Sequence, residues 1–152
     1  MRLFAYLLLS FLLSGNLFSQ DLVEWRGLNR SGIYPDKGLL TAWPENGPEI
    51  IMEMDGVGEG YSSPVLYHDV TYVTGTHDSI NFISAVDLKG NLVWKKDYSK
   101  AWNKTYPGSR CTPTIENNRI YLVGGTGDLV CMNATNGAII WSKNPHIEFS
   151  GK

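Results

Sequence analysis

The chain repeats itself, and the repeat limits what it can fold into more than any other feature. Gly60-Tyr61-Ser62-Ser63-Pro64-Val65-Leu66-Tyr67 returns as Gly108-Ser109-Arg110-Cys111-Thr112-Pro113-Thr114-Ile115. Further on, Val70-Thr71-Tyr72-Val73 is echoed by Arg119-Ile120-Tyr121-Leu122. Both copies end on a turn glycine, apolar residues and a tryptophan: Gly90 to Trp94, then Gly137 to Trp141. Pro64 and Pro113 stand 49 residues apart, as do Tyr72 and Tyr121, while Trp94 and Trp141 stand 47 apart. A period between roughly 20 and 50 residues marks a solenoid, a propeller or an array. The slippage falls at Thr76-His77-Asp78-Ser79-Ile80-Asn81, which predicts a longer loop there, because insertions collect in loops.

Each copy predicts four short strands with period-2 alternation and turn residues between them. His68-Asp69 and Asn117-Asn118 fit the first hairpin turn, since Asn and Asp tolerate positive φ. Thr126-Gly127-Asp128 closes the second hairpin of the second copy, and Gly90 and Gly137 supply a left-handed residue in the third turn. Four antiparallel strands in fewer than about fifty residues make one propeller blade, so 57–96 and 108–143 read as two blades. A four-stranded sheet cannot bury both of its faces alone. Trp94 and Trp141, recurring at one place, read as packing wedges between stacked blades.

Those tryptophan endings, Asp87-Leu88-Lys89-Gly90 to Trp94 and Ala134-Thr135-Asn136-Gly137 to Trp141, resemble the tryptophan-docking repeat of pyrroloquinoline quinone (PQQ)-like β-propellers. The resemblance spans about residues 47–143. It implies an all-β propeller of four-stranded antiparallel blades, here two complete blades and the start of a ring. The superfamily holds quinoprotein alcohol dehydrogenases and also an outer-membrane assembly lipoprotein that uses the same blades without a quinone.

Propellers typically need about four to eight blades, so the 152 residues read as the N-terminal part of a longer ring. Hydrophobic residues make up 43% and charged ones 18%, a globular balance. A formal charge of −2 gives no electrostatic case for nucleic acid as a partner. Arg2 followed by the apolar run Leu3 to Leu13 reads as a signal peptide over residues 1–20: a span needs about 20 apolar residues, and this core is shorter. No stable membrane span is expected after cleavage, and Asn16 stands where a lipidated Cys would be needed. The expected location is exported, periplasmic or extracellular.

Residues 21–48 read as an ordered lead-in that packs Trp25 and Trp43 over the propeller. Glu49-Ile50-Ile51-Met52 then repeats the last-strand pattern, with Met52 where the other copies carry tryptophan. Residues 49–54 are therefore predicted to be a closing strand, completing a final blade whose other strands lie beyond Lys152.

Chemistry is sparse in the sequence. Cys111 is placed on the first strand of the second blade and Cys131 on the third. Two strand spacings separate them, about 9–10 Å, which exceeds disulfide reach, so two buried thiols are expected. His68, His77 and His146 lack metal-ligand spacing, and no metal site is predicted. The glycine runs 56–60 and 124–127 do not complete a phosphate-binding fingerprint. Arg110, Tyr61 and Ser62 precede the first strands and are the candidates for the channel mouth, where Arg suits bidentate binding of an anion.

Two functions follow. In the first, the chain belongs to an exported propeller acting as a rigid binding or scaffold module, with a protein or small-molecule ligand at its face and no cofactor in this segment. In the second, implied by the other branch of the resemblance, it is part of a quinoprotein-like dehydrogenase. That enzyme oxidises alcohols or sugars with PQQ and calcium, at a site completed by further blades. The resembled enzymes carry adjacent cysteines against the quinone; no such pair occurs here.

Overall fold

The computed structural model describes residues 22–150, so the expected leader at 1–20 lies outside them. Two antiparallel sheets form the body. The first has the order β2 (Val65–Tyr67), β3 (Val70–His77), β4 (Ile80–Asp87) and β5 (Leu92–Lys100). The second runs β6 (Thr114–Glu116), β7 (Arg119–Val123), β8 (Leu129–Asn133) and β9 (Ile139–Lys143), with β1 (Leu22–Val23) added beside β6. A short helix, α1 (Pro145–Glu148), follows and is capped by the Asn144 side chain. The fold is a partial β-propeller of two blades.

The hairpins form where the sequence places turn residues. His68 and Asp69 take φ of 46° and 62°, and Asn117 and Asn118 take 49° and 61°. Two successive left-handed residues match the twist of the flanking strands. The expected loop at 76–81 is not a loop. Thr76 pairs with Asn81 and His77 with Ile80, so both strands extend to a tight turn at Asp78. Thr76 Oγ1 donates to Asn81 Oδ1 at 2.7 Å inside the sheet. The extra residues of the first copy lengthen its two middle strands, eight residues each against five in the second copy, rather than the connection between them.

The core lies between the sheets. Tyr72, Ile83 and Ala85 of the first blade meet Ile120, Leu122, Val130 and Met132 of the second in one buried cluster. Only a stacked pair of sheets buries these faces, because each sheet is one layer thick. The blades converge at their first strands: Tyr61 N–H donates to Ser109 O at 2.7 Å, and Ser63 N–H donates to Thr112 Oγ1 at 3.0 Å. That convergent side is where a propeller has its channel.

Two expectations about the N-terminal region need correction or relocation. Trp43 does not pack over the propeller, being 72% exposed, and Trp25, 58% exposed, only borders a cleft beside Leu66 and Thr112. The lead-in is held instead by its first residues, which join the second sheet as β1. Residues 49–58 form no strand. They lie against the face of the first blade turned away from the second. There Gly58 abuts the Phe82 ring, Lys95 Nζ donates to Gly56 O at 3.2 Å, and Met52 and Met54 are half-buried.

Candidate functional site

The joint between the blades is built from one turn and two aromatic donors. Trp94 Nε1–H donates to Ala134 O at 3.1 Å, and Tyr72 O–H donates to the same carbonyl at 3.0 Å. Burial pushes the Tyr72 phenol up from its ordinary range, which keeps it a donor. Gly137, with φ of 69°, lies close against the indole: a Cβ there would sit 2.7 Å from Trp94 Cε3 and 2.8 Å from Lys96 Cγ. Only glycine fits that contact and that backbone. The carbonyl, the glycine and the turn between them are held by Asn133, whose Oδ1 accepts from Thr135 N–H at 2.9 Å and Asn136 N–H at 3.2 Å.

The same pair recurs at the far face of the second blade. Tyr121 and Trp141 have ring centroids 6.4 Å apart at 51°, against 5.9 Å and 57° for Tyr72 and Trp94. Trp141 is 40% exposed there. On the first blade Gly90, the counterpart of Gly137, is approached by Glu53 O at 2.8 Å and Met52 Cγ at 3.8 Å, measured from the position of an added Cβ. Met52 thus stands against Gly90 as Trp94 stands against Gly137.

At the start of β6 a cleft of about 540 Å3 opens between the blades, lined by Tyr98, Trp102, Ser109, Arg110 and Cys111 among others. Its floor is a chain of hydroxyls. Ser109 Oγ–H donates to Thr74 Oγ1 at 2.8 Å, and Thr74 Oγ1–H donates to Cys111 O at 2.7 Å. The Tyr98–Ser109 contact at 3.3 Å therefore has Tyr98 as donor, since the single Ser109 proton is already used. Burial raises the Tyr98 pKa to about 12 against the lowering effect of its hydrogen bond to Ser109. This chain of donors ties β5, β3 and the approach to β6 together.

The three sequence candidates fall at this end, in different roles. Ser62 Oγ–H donates to Thr74 O at 3.0 Å, a structural bond. Arg110 is exposed and donates through Nη2 to the carbonyls of Thr105 and Tyr106, with its guanidinium 6.0 Å from the Tyr106 ring centroid. Tyr61 is 73% exposed, and its ring edge lies 3.5 Å from the position of a Cβ on Gly108. Tyr61, Tyr106, Arg110 and Trp102 thus form an exposed aromatic and arginine patch around the cleft. The sequence reading missed Tyr72, Tyr98, Ser109 and Thr74. The Tyr72–Tyr121 recurrence carried a signal; the hydroxyl chain involves no repeated residue and carried none.

Cys111 lies just before β6 rather than within it and is half-buried, while Cys131 is buried within β8; both are free thiols. Desolvation raises both thiols above their usual range, although Val123 N–H bonding to Cys111 Sγ at 3.1 Å lowers that one in part. Among the described residues no three His, Cys, Asp or Glu side chains gather as a metal site.

Residues 80–152 match the family model described as Outer membrane protein assembly factor BamB, a model of PQQ-like repeats. Comparison with curated proteins gives no match. No helix among the described residues is long and apolar enough to cross a membrane.

Proposed function

We propose that this chain, two blades of a PQQ-like repeat propeller, supplies part of an exported module that binds a protein partner on a rigid face. The carrying observation is the patch of Tyr61, Tyr106, Arg110 and Trp102 at the end of the inter-blade boundary where Ser109 bonds Thr74 across it. Aromatic residues and arginine are the types enriched at protein interfaces and at their energetic centres. A patch of this kind gains affinity when its base does not have to be ordered on binding. The family model, described by an assembly factor, supports the same reading.

In this reading residues 49–54 serve as the outer strand of a blade completed elsewhere in the ring. The placement of Met52 on Gly90 supports that assignment.

The test is a photo-crosslinking residue placed at Tyr61 in the exported protein, with one at Lys143 as control. A discrete adduct at position 61 that disappears in an Arg110→Ala, Tyr106→Ala background supports the reading. Equal labelling at both positions opposes it. The quinoprotein reading is tested separately, by adding PQQ and calcium and following dye-linked alcohol oxidation; turnover with bound quinone absorbance would establish the enzyme.

A further inference from the structure

The second blade has five strands where the repeat calls for four, and the extra one comes from the lead-in. β1 runs antiparallel to β6, with Leu22 opposite Glu116 and Val23 opposite Ile115. It contributes two residues, and Val23 packs against the inter-blade core. On its C-terminal side the strand is fastened by its own turn. Glu24, whose side chain is 7% exposed, accepts from Arg30 Nε–H at 2.7 Å, and Gly27 N–H and Gly32 N–H close the turn onto Glu24 O and Arg26 O. Beyond it, residues 35–48 are exposed apart from a half-buried Gly47, and Gly38 and Gly47 have no atom within 4 Å of an added Cβ. A released β1 would stay tethered.

An edge strand offers unpaired N–H and C=O groups to any extended chain, and recognition by strand addition draws its affinity from those groups. The inner edge of β6 is such a surface, and β1 shows what fits it: an extended segment with an apolar side chain opposite Ile115. Trp25, Tyr34, Leu66 and Thr112 line a cleft of about 330 Å3 next to this edge, which gives room for flanking side chains. We propose that β1 is a built-in occupant of a peptide-binding edge, and that an extended segment of a partner protein binds by displacing it. This rests on the reading of the chain as a binding module. A tethered occupant has an effective concentration on the order of millimolar for a short flexible linker, so the edge stays closed to weak or dilute peptides.

The experiment uses the whole chain and a fluorescein-labelled peptide of residues 21–26, Asp-Leu-Val-Glu-Trp-Arg, read by fluorescence anisotropy. Wild type is expected not to bind at micromolar peptide. Val23→Pro, which cannot maintain the ladder, is expected to bind at least about tenfold more tightly, and a scrambled peptide not at all. Amide hydrogen exchange reports the edge directly: faster exchange in β6 with unchanged protection in β3 and β4 shows an opened edge on an intact fold. Glu24→Gln, which loosens the fastening without touching the ladder, should bind with intermediate affinity. Equal binding by wild type and Val23→Pro, or none by an intact Val23→Pro, overturns the proposal. Loss of the fold in both variants overturns it too, since β1 would then be a permanent strand. None of these outcomes depends on the crosslinking or quinone results.

Discussion

Removing the Trp94 indole takes away a ring close against Gly137 and a donor to Ala134 O at 3.1 Å. Burial of such a side chain makes its truncation to Ala cost about 3 kcal/mol, the low end of the range for a half-buried ring. Chemical denaturation of Trp94→Ala should show that loss, whereas Trp43→Ala, at an exposed position, should change stability by less than about 0.5 kcal/mol. Tyr98 sets an alkaline limit. Its folded pKa of about 12 lies above the ordinary phenol value of 10.0, so the neutral form is favoured by folding. The stabilisation is complete below pH 10 and declines as pH rises towards 12, with the unfolded phenol ionising first. Tyr98→Phe should flatten stability against pH across that window in thermal melts. At neutral pH both thiols should react slowly with a disulfide reagent, and two should titrate after denaturation; none titrating would mean a disulfide. The sequence told of Trp94 and Gly137 because they recur. It was silent on Tyr98 and Ser109, whose partnership depends on a fold that brings two dissimilar segments together.

At the scale of elements, turn chemistry was the most legible feature. Asn117-Asn118 and His68-Asp69 adopt the left-handed pair that their composition predicted. A β-branched residue at Asn118 should cost about 1–2 kcal/mol from backbone strain. It also removes the bond from Thr135 Oγ1 to Asn118 Oδ1 at 3.1 Å, so Asn118→Val should melt earlier than Asn118→Gly. The strand lengths at Thr76 to Asn81 were illegible because a slip in repeat spacing counts extra residues without saying whether they lengthen a loop or, as here, the two strands that pair up to His77 and Ile80. The lead-in misled for a related reason. Trp25 and Trp43 look like core by side chain, yet the element is held by the backbone of Leu22 and Val23, and backbone pairing leaves little trace in residue type.

For the whole molecule, the two blades form one stack because their core, their hydroxyl chain and their aromatic joint all cross the same boundary. The repeat in the sequence made this stacking predictable, since each single-layer sheet leaves an apolar face that a neighbour must cover. The exposed aromatic and arginine patch was only partly legible. Arg110 and Tyr61 were placed by their position before the first strands, while Tyr106 and Trp102 joined them through an inter-blade connection without periodicity. The stack depends on an indole from one blade lying against the glycine of the next. Proton–proton contacts in a nuclear Overhauser spectrum of the assigned protein decide whether it does. A strong cross-peak between the Trp94 ring and the Gly137 α protons is predicted, with the Trp94 indole N–H protected from exchange; no such cross-peak, with that N–H exchanging as fast as the N–H of Trp43, would contradict it.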